Sequence, residues 1–344
     1  MLALVWGGSQ YPWGSGEIIG MLVAAGVALL LFIWRERKAK DPILSLGLFR
    51  NKVFAISSVA VFLSALGMFG SILFIPVFAQ GVIGYSATNS GLVMMPMMLS
   101  IVFASVISGQ IVSRTGNYKI LSIIGMAVAT VGMLLFSQIN EYTTSSGLVF
   151  RMMVMGLGLG VTMPIFTLAV QNAFSHERLG EVTAGTQLFR SVGGTVGAAV
   201  LGGVMNAKLA ERLIGIENDP FITAIQQVSP TTPVIIDGNT IQGFLSTDGQ
   251  AHIQAVIQQA PAGLQEQLTV AFNNFLDVLR DAFSISIDQV FLIGAALMAI
   301  ATIAVIFLPQ IALRKSHNRP VMEEAGVTLD LELGQSDKHH EPNL

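Results

Sequence analysis

Residues 151–170 read RMMVMGLGLGVTMPIFTLAV. Two readings compete for this stretch. The alternating glycines of GLGLG (156–160) resemble a nucleotide-binding turn, but such a turn needs a preceding strand and sits where a strand passes into a helix. Here the glycines lie inside an uninterrupted apolar run that continues to residue 173 without another charge. A run of that length crosses a hydrocarbon core about 30 Å thick at about 1.5 Å per residue. The stretch therefore reads as a membrane helix, and its glycines as places where neighbouring helices approach closely.

The same pattern recurs on both sides. Apolar stretches at 17–34, 53–79, 87–112, 120–138, 147–173, 182–207 and 285–309 are separated by short polar breaks. The chain is 52% hydrophobic and 11% charged, with 35 glycines among 344 residues, whereas soluble domains are about a quarter charged. The expected fold class is all-α: a polytopic transmembrane helical bundle of about seven spans. Most soluble enzyme classes are excluded at this point. With no cysteine, there is neither a disulfide framework nor a thiolate site.

Basic residues sort to one side of the spans. Alternate breaks hold Arg35, Arg37, Lys38, Lys40, Arg50 and Lys52, then Arg114 and Lys119, then Arg178, and finally Arg314, Lys315, Arg319 and Lys338. These are most of the eighteen basic residues. The short breaks 80–86 and 139–146 on the other side hold none. The positive-inside rule makes the first set cytoplasmic. It places the C-terminal tail inside and starts residue 17 outside. Residues 1–16 read as the end of a helix followed by an outer hairpin with Trp6, Tyr11 and Trp13. On that reading the chain begins within a larger membrane domain, and Met1 is an internal start. The transmembrane bundle spans 17–313, residues 208–284 form an extracytoplasmic loop, and 314–344 a polar, disordered tail. Within the loop, Leu264, Leu268, Phe272, Phe275, Leu276, Leu279 and Phe283 recur at helical spacing, a helix that either lies on the outer surface or extends the last span.

Charges inside a bilayer are costly and are functional candidates by default. The spans hold two arginines. Arg151 is about one turn in and can extend outward. Arg190 lies about 12 Å along its helix, so it is a candidate for the bundle interior. Gln171 and Gln187 are candidate cavity residues, as are Met94 and Met98, whose thioethers adapt to varied shapes. Acidic residues (Glu17, Glu181 and Asp288) fall at span ends, and all five histidines lie outside the spans. No Walker motif, catalytic triad or metal-ligand pattern is present, so neither a cofactor nor an enzymatic role is expected, and nucleic acid is not an expected partner. Pro76, Pro96 and Pro164 are expected to bend their helices. Gly193/Gly197 and Ala198/Gly202 form a small-residue face for close packing.

Several local signatures occur together. They are DPILSLGLFRNKVF (41–54), LFIPVFAQGVIGYSATNSGLVMMPMML (73–99), GQIVSRTGNYK (109–119), RMMVMGLGLGVTMP (151–164) and AGTQLFRSVGGTVGAAVLGGV (184–204). This pattern resembles the C-terminal half of a fourteen-span major facilitator carrier of the drug:proton antiporter branch, over about residues 1–310. The resemblance implies a partial major-facilitator fold and export of small amphipathic or lipophilic substrates. It further implies a membrane location in a bacterium and a missing N-terminal half of about six spans. It also implies a cytoplasmic loop motif at Gly109, Arg114, Gly116 and Lys119, in which Ser113 replaces the usual acidic residue. Alternative readings are a scaffold or sensor whose loop 208–284 binds a partner outside, and an inert truncated carrier.

Overall fold

The computed structural model describes residues 3, 6, 11, 14–38, 45–85, 92–140, 143–228 and 238–312. Ten α-helices are described: α1 (Gly16–Lys38), α2 (Lys52–Gly81), α3 (Met95–Thr115), α4 (Tyr118–Phe136), α5 (Ser145–Ala173), α6 (Leu179–Arg212), α7 (Pro220–Val228), α8 (Gly238–Leu245), α9 (Thr247–Gln258) and α10 (Ala262–Ile306). Among the described residues, seven helices are long and apolar enough to cross a membrane. Most of the N-terminal hairpin, residues 229–237 of the loop and the tail beyond 312 lie outside the described residues.

Helix ends follow local chemistry. The Asn51 side chain accepts from the Val53 amide at 2.8 Å and starts α2. Thr144 Oγ1 accepts from the Gly147 amide at 3.2 Å and starts α5. Both satisfy amides that have no partner within the helix. Gly116, at φ +71°, ends α3 in the left-handed conformation that glycine adopts without a Cβ penalty.

One expectation changes here. Pro96 does not bend a helix. It occupies the first turn of α3, where a missing amide hydrogen costs nothing; the expected start of that span at 87 lies outside the described residues. Of the two placements for the helix at 264–283, the structure shows the extension: the last helix runs unbroken from Ala262 to Ile306. The helical spacing of Leu264–Phe283 thus continues directly into the last span, and α6 likewise runs on to Arg212.

The packing has an internal order. Helix α5 packs on α3 and α4, while α2 packs on α6 and α10. Each pairing has its counterpart under the exchange of α2 with α5, α3 with α6, and α4 with α10. The pairs α2/α5 and α4/α10 are the main contacts between the two three-helix units, with a smaller one between α5 and α6. One such contact is polar: Thr130 Oγ1 and Thr302 Oγ1 lie 2.9 Å apart. Helix α1 is exposed along most of its length, with only Ile18 and Glu36 buried.

Lipid tails are as apolar as leucine, so close packing rather than apolar burial holds such helices together. The glycines supply it. A methyl group added at Gly156 or Gly160 would collide with the backbone of α3 at Met97 or Ile101, and one at Gly158 with the backbone of α4 at Ala129. The GLGLG run therefore presents one glycine to α4 and two, a turn apart, to α3. Near one end, Leu48, Phe54, Phe174 and Val182 form a separate apolar cluster, and the Ser45 amide donates to Glu181 at 3.2 Å.

Candidate functional site

Helices α5 and α6 make little contact with each other compared with α5 on α3. The space left between α3, α5 and α6 is a groove of about 540 Å³, within the size range of small-molecule sites. Helix α3 contributes Ser105, Gly109 and Ser113, α5 contributes Met163, Thr167 and Gln171, and α6 contributes Arg190. Gly109 has open space where a side chain would begin, so its lack of a Cβ widens the groove rather than tightening a helix contact. Pro164 also lines the wall. Its ring removes the amide that would bond the carbonyl one turn back.

The electrostatics are one-sided. Among the described residues, no carboxylate lines the groove. Arg190 is half-buried and, among the described residues, has no hydrogen-bond or ion-pair partner. Gln171 Nε2 donates to Thr183 Oγ1 at 3.0 Å, which leaves its second amide hydrogen and its oxygen available. Thr167 and Ser113 donate back to their own helices at Met163 and Gln110.

Of the six cavity candidates, Arg190 and Gln171 come together in this groove. Gln187 lies exposed elsewhere on α6. Arg151 donates from Nε to the Leu135 carbonyl at 2.9 Å, where a cation complements the C-terminal end of α4. Met94 packs against the main core. Met98 is 41% exposed, and the residue buried there is Met97. In the small-residue face, Gly193 and Gly197 meet the α2 backbone at Phe62 and Leu66, whereas Gly202 faces open space and Ala198 is half-buried. Arg114 is exposed.

Two features escaped the sequence reading. Tyr118 and Gln310 tie the α3–α4 turn to the end of α10, a contact between distant segments that no local spacing announces. Asp288 sits well inside the continuous α10, half-buried, with Oδ1 shielded from solvent and without a hydrogen-bond partner. The sequence reading placed it at a span end; it falls well within the helix because α10 continues outward beyond the start expected for the span.

Comparison with known proteins agrees with this architecture. The sequence profile of the Major Facilitator Superfamily matches residues 1–198. The chain is 35% identical over 337 residues to the multidrug transporter protein MdtP of Bacillus subtilis, covering 96% of this chain and 60% of that protein. It is 30% identical to multidrug resistance protein 3 of the same organism, over 90% of this chain and 55% of the relative. It is also 30% identical to a tetracycline resistance determinant of Streptomyces rimosus, over 62% of each. The chain thus spans somewhat more than half the length of these relatives. With its apolar helices, its paired three-helix units and a profile match over more than half of its residues, the chain is a membrane protein that belongs to the Major Facilitator Superfamily.

Proposed function

We propose that these residues form the cargo-binding C-terminal portion of a proton-coupled exporter of small amphipathic or lipophilic compounds. Its place is the cytoplasmic membrane of a bacterium, with the C-terminus inside. An additional N-terminal half completes the cavity, and the two halves rock about it. The observation that carries the reading is the groove between α3, α5 and α6, with Arg190 and Gln171 on its wall. It has the size of a drug-sized ligand, its lining is mostly apolar, and a few polar groups converge on it. The names of the relatives support export of drugs as the activity. Asp288 is a carboxylate available to carry a proton, since its shielded oxygen has no fixed partner.

The absence of cysteine makes a direct test possible. Thr167→Cys places a thiol in the groove, and Val102→Cys places one on the exposed side of α3, where Val102 is 60% accessible. In purified protein, Nile red should slow N-ethylmaleimide labelling of the first and leave the second unchanged. Equal labelling of Thr167→Cys with and without the dye would remove the groove as a cargo site.

A further inference from the structure

We propose that the groove selects anionic amphipaths, with Arg190 as the group that holds the anion. This inference rests on the reading of the groove as a cargo site and specifies the cargo's chemistry. Three observations carry it. Among the described residues, the only ionisable side chain on the groove wall is Arg190, so the local field there is positive. That guanidinium is half-buried and without a partner among the described residues. A charge in such a position is costly until an anion meets it. Polar side chains also line the groove, among them Ser105 on α3 and Gln171 on α5, whose Nε2 donates to Thr183, about two turns from Arg190 along α6. Met163 and Leu168 of α5 add apolar surface to the same lining. A ligand that satisfies both parts has an apolar body and one carboxylate or sulfonate, which a guanidinium binds through two parallel hydrogen bonds. A lipophilic cation would meet a like charge and no carboxylate.

Three ligands with one aromatic body separate these contributions: pyrenebutyrate, pyrenebutanol and pyrenebutylamine. Each is titrated by fluorescence into residues 1–344 in phosphatidylcholine nanodiscs. Gly109→Trp fills the open space at Gly109, and binding lost in that variant is groove binding. The acid should bind in the groove at least about tenfold more tightly than the amine, with the alcohol between them, because a hydrogen bond to a charged group is typically worth a tenfold change or more. Arg190→Gln should weaken the acid about tenfold and leave the alcohol unchanged, and Arg190→Lys should retain part of the preference. If the alcohol binds in the groove but the acid has no advantage, or the advantage survives Arg190→Gln, the anion assignment is overturned while the groove stands as a site. If none of the three shows binding that Gly109→Trp removes, the groove reading and this inference fall together. Where Gly109→Trp folds poorly, Gly109→Leu takes its place as the groove-blocking variant.

Discussion

The Tyr118 hydroxyl donates to the Pro309 carbonyl at 2.6 Å and accepts from the Ile311 amide at 2.8 Å. Next to it, Gln310 accepts from the Lys119 amide at 3.1 Å and donates to the Gly116 carbonyl at 2.8 Å. Four hydrogen bonds thus clasp the turn that carries Gly116 and Lys119 to the point where α10 ends. The turn between α3 and α4 is held by neutral hydrogen bonds.

Tyr118 is fully buried. Tyr118→Phe should therefore leave the Pro309 carbonyl and the Ile311 amide without their partner, at a cost of about 1–3 kcal/mol. A melting temperature lower by a few degrees, measured in detergent by tryptophan or dye fluorescence, is expected. Gln310→Ala, at a more exposed site, should cost less. An unchanged melting temperature for Tyr118→Phe would mean that the clasp does not bear on stability.

Glycine substitutions should divide by contact. Gly158→Leu and Gly197→Leu force a side chain into the backbone of Ala129 and Leu66, whereas Gly202 has nothing within 4 Å. The first two should sharply lower folded yield, since overpacking costs about 1–3 kcal/mol or more. Gly202→Leu should be recovered like the parent. The measurement is monodisperse yield in size-exclusion chromatography.

Much of this architecture was legible in the apolar runs, because spanning helices must satisfy their own backbone and the run length follows from bilayer thickness. The GLGLG reading succeeded for the same reason: a glycine-rich turn for phosphate needs a strand that this stretch lacks. Pro96 was misplaced because an apolar run with a proline inside it looks alike whether the proline bends a helix or begins one. The 262–284 segment was recognisable as helix, but composition marks where lipid begins and not where hydrogen bonding stops. In the groove, Arg190 and Gln171 stood out as polar groups within apolar runs. Gln187 and Met98 stood out equally and lie elsewhere. Which face of α6 or α3 turns inward depends on neighbours that a single helix does not encode. The clasp of Tyr118 on Pro309 joins segments far apart in the chain and left no local trace.

Topology is testable on the same cysteine-less background. Ser145 lies at the start of α5, where it bonds the Tyr85 hydroxyl at 2.5 Å, and Ser113 lies near the end of α3. With the basic end inside, Ser145→Cys should react with an impermeant maleimide in intact cells and Ser113→Cys only after permeabilisation. Labelling of Ser113→Cys from outside would invert the orientation.

The central claim is that these residues supply the cargo side of an exporter that needs a further half. The most direct measurement is efflux of an anionic lipophilic dye from cells, with and without a protonophore, in two settings. Residues 1–344 produced alone should give no protonophore-sensitive efflux. The same residues substituted for the matching stretch of MdtP should restore it, and Arg190→Ala should abolish it in that chimera. A chimera that reaches the membrane yet exports nothing would contradict the account. So would protonophore-sensitive efflux from residues 1–344 alone, abolished by Arg190→Ala, which would mean that two copies of this chain make a working carrier.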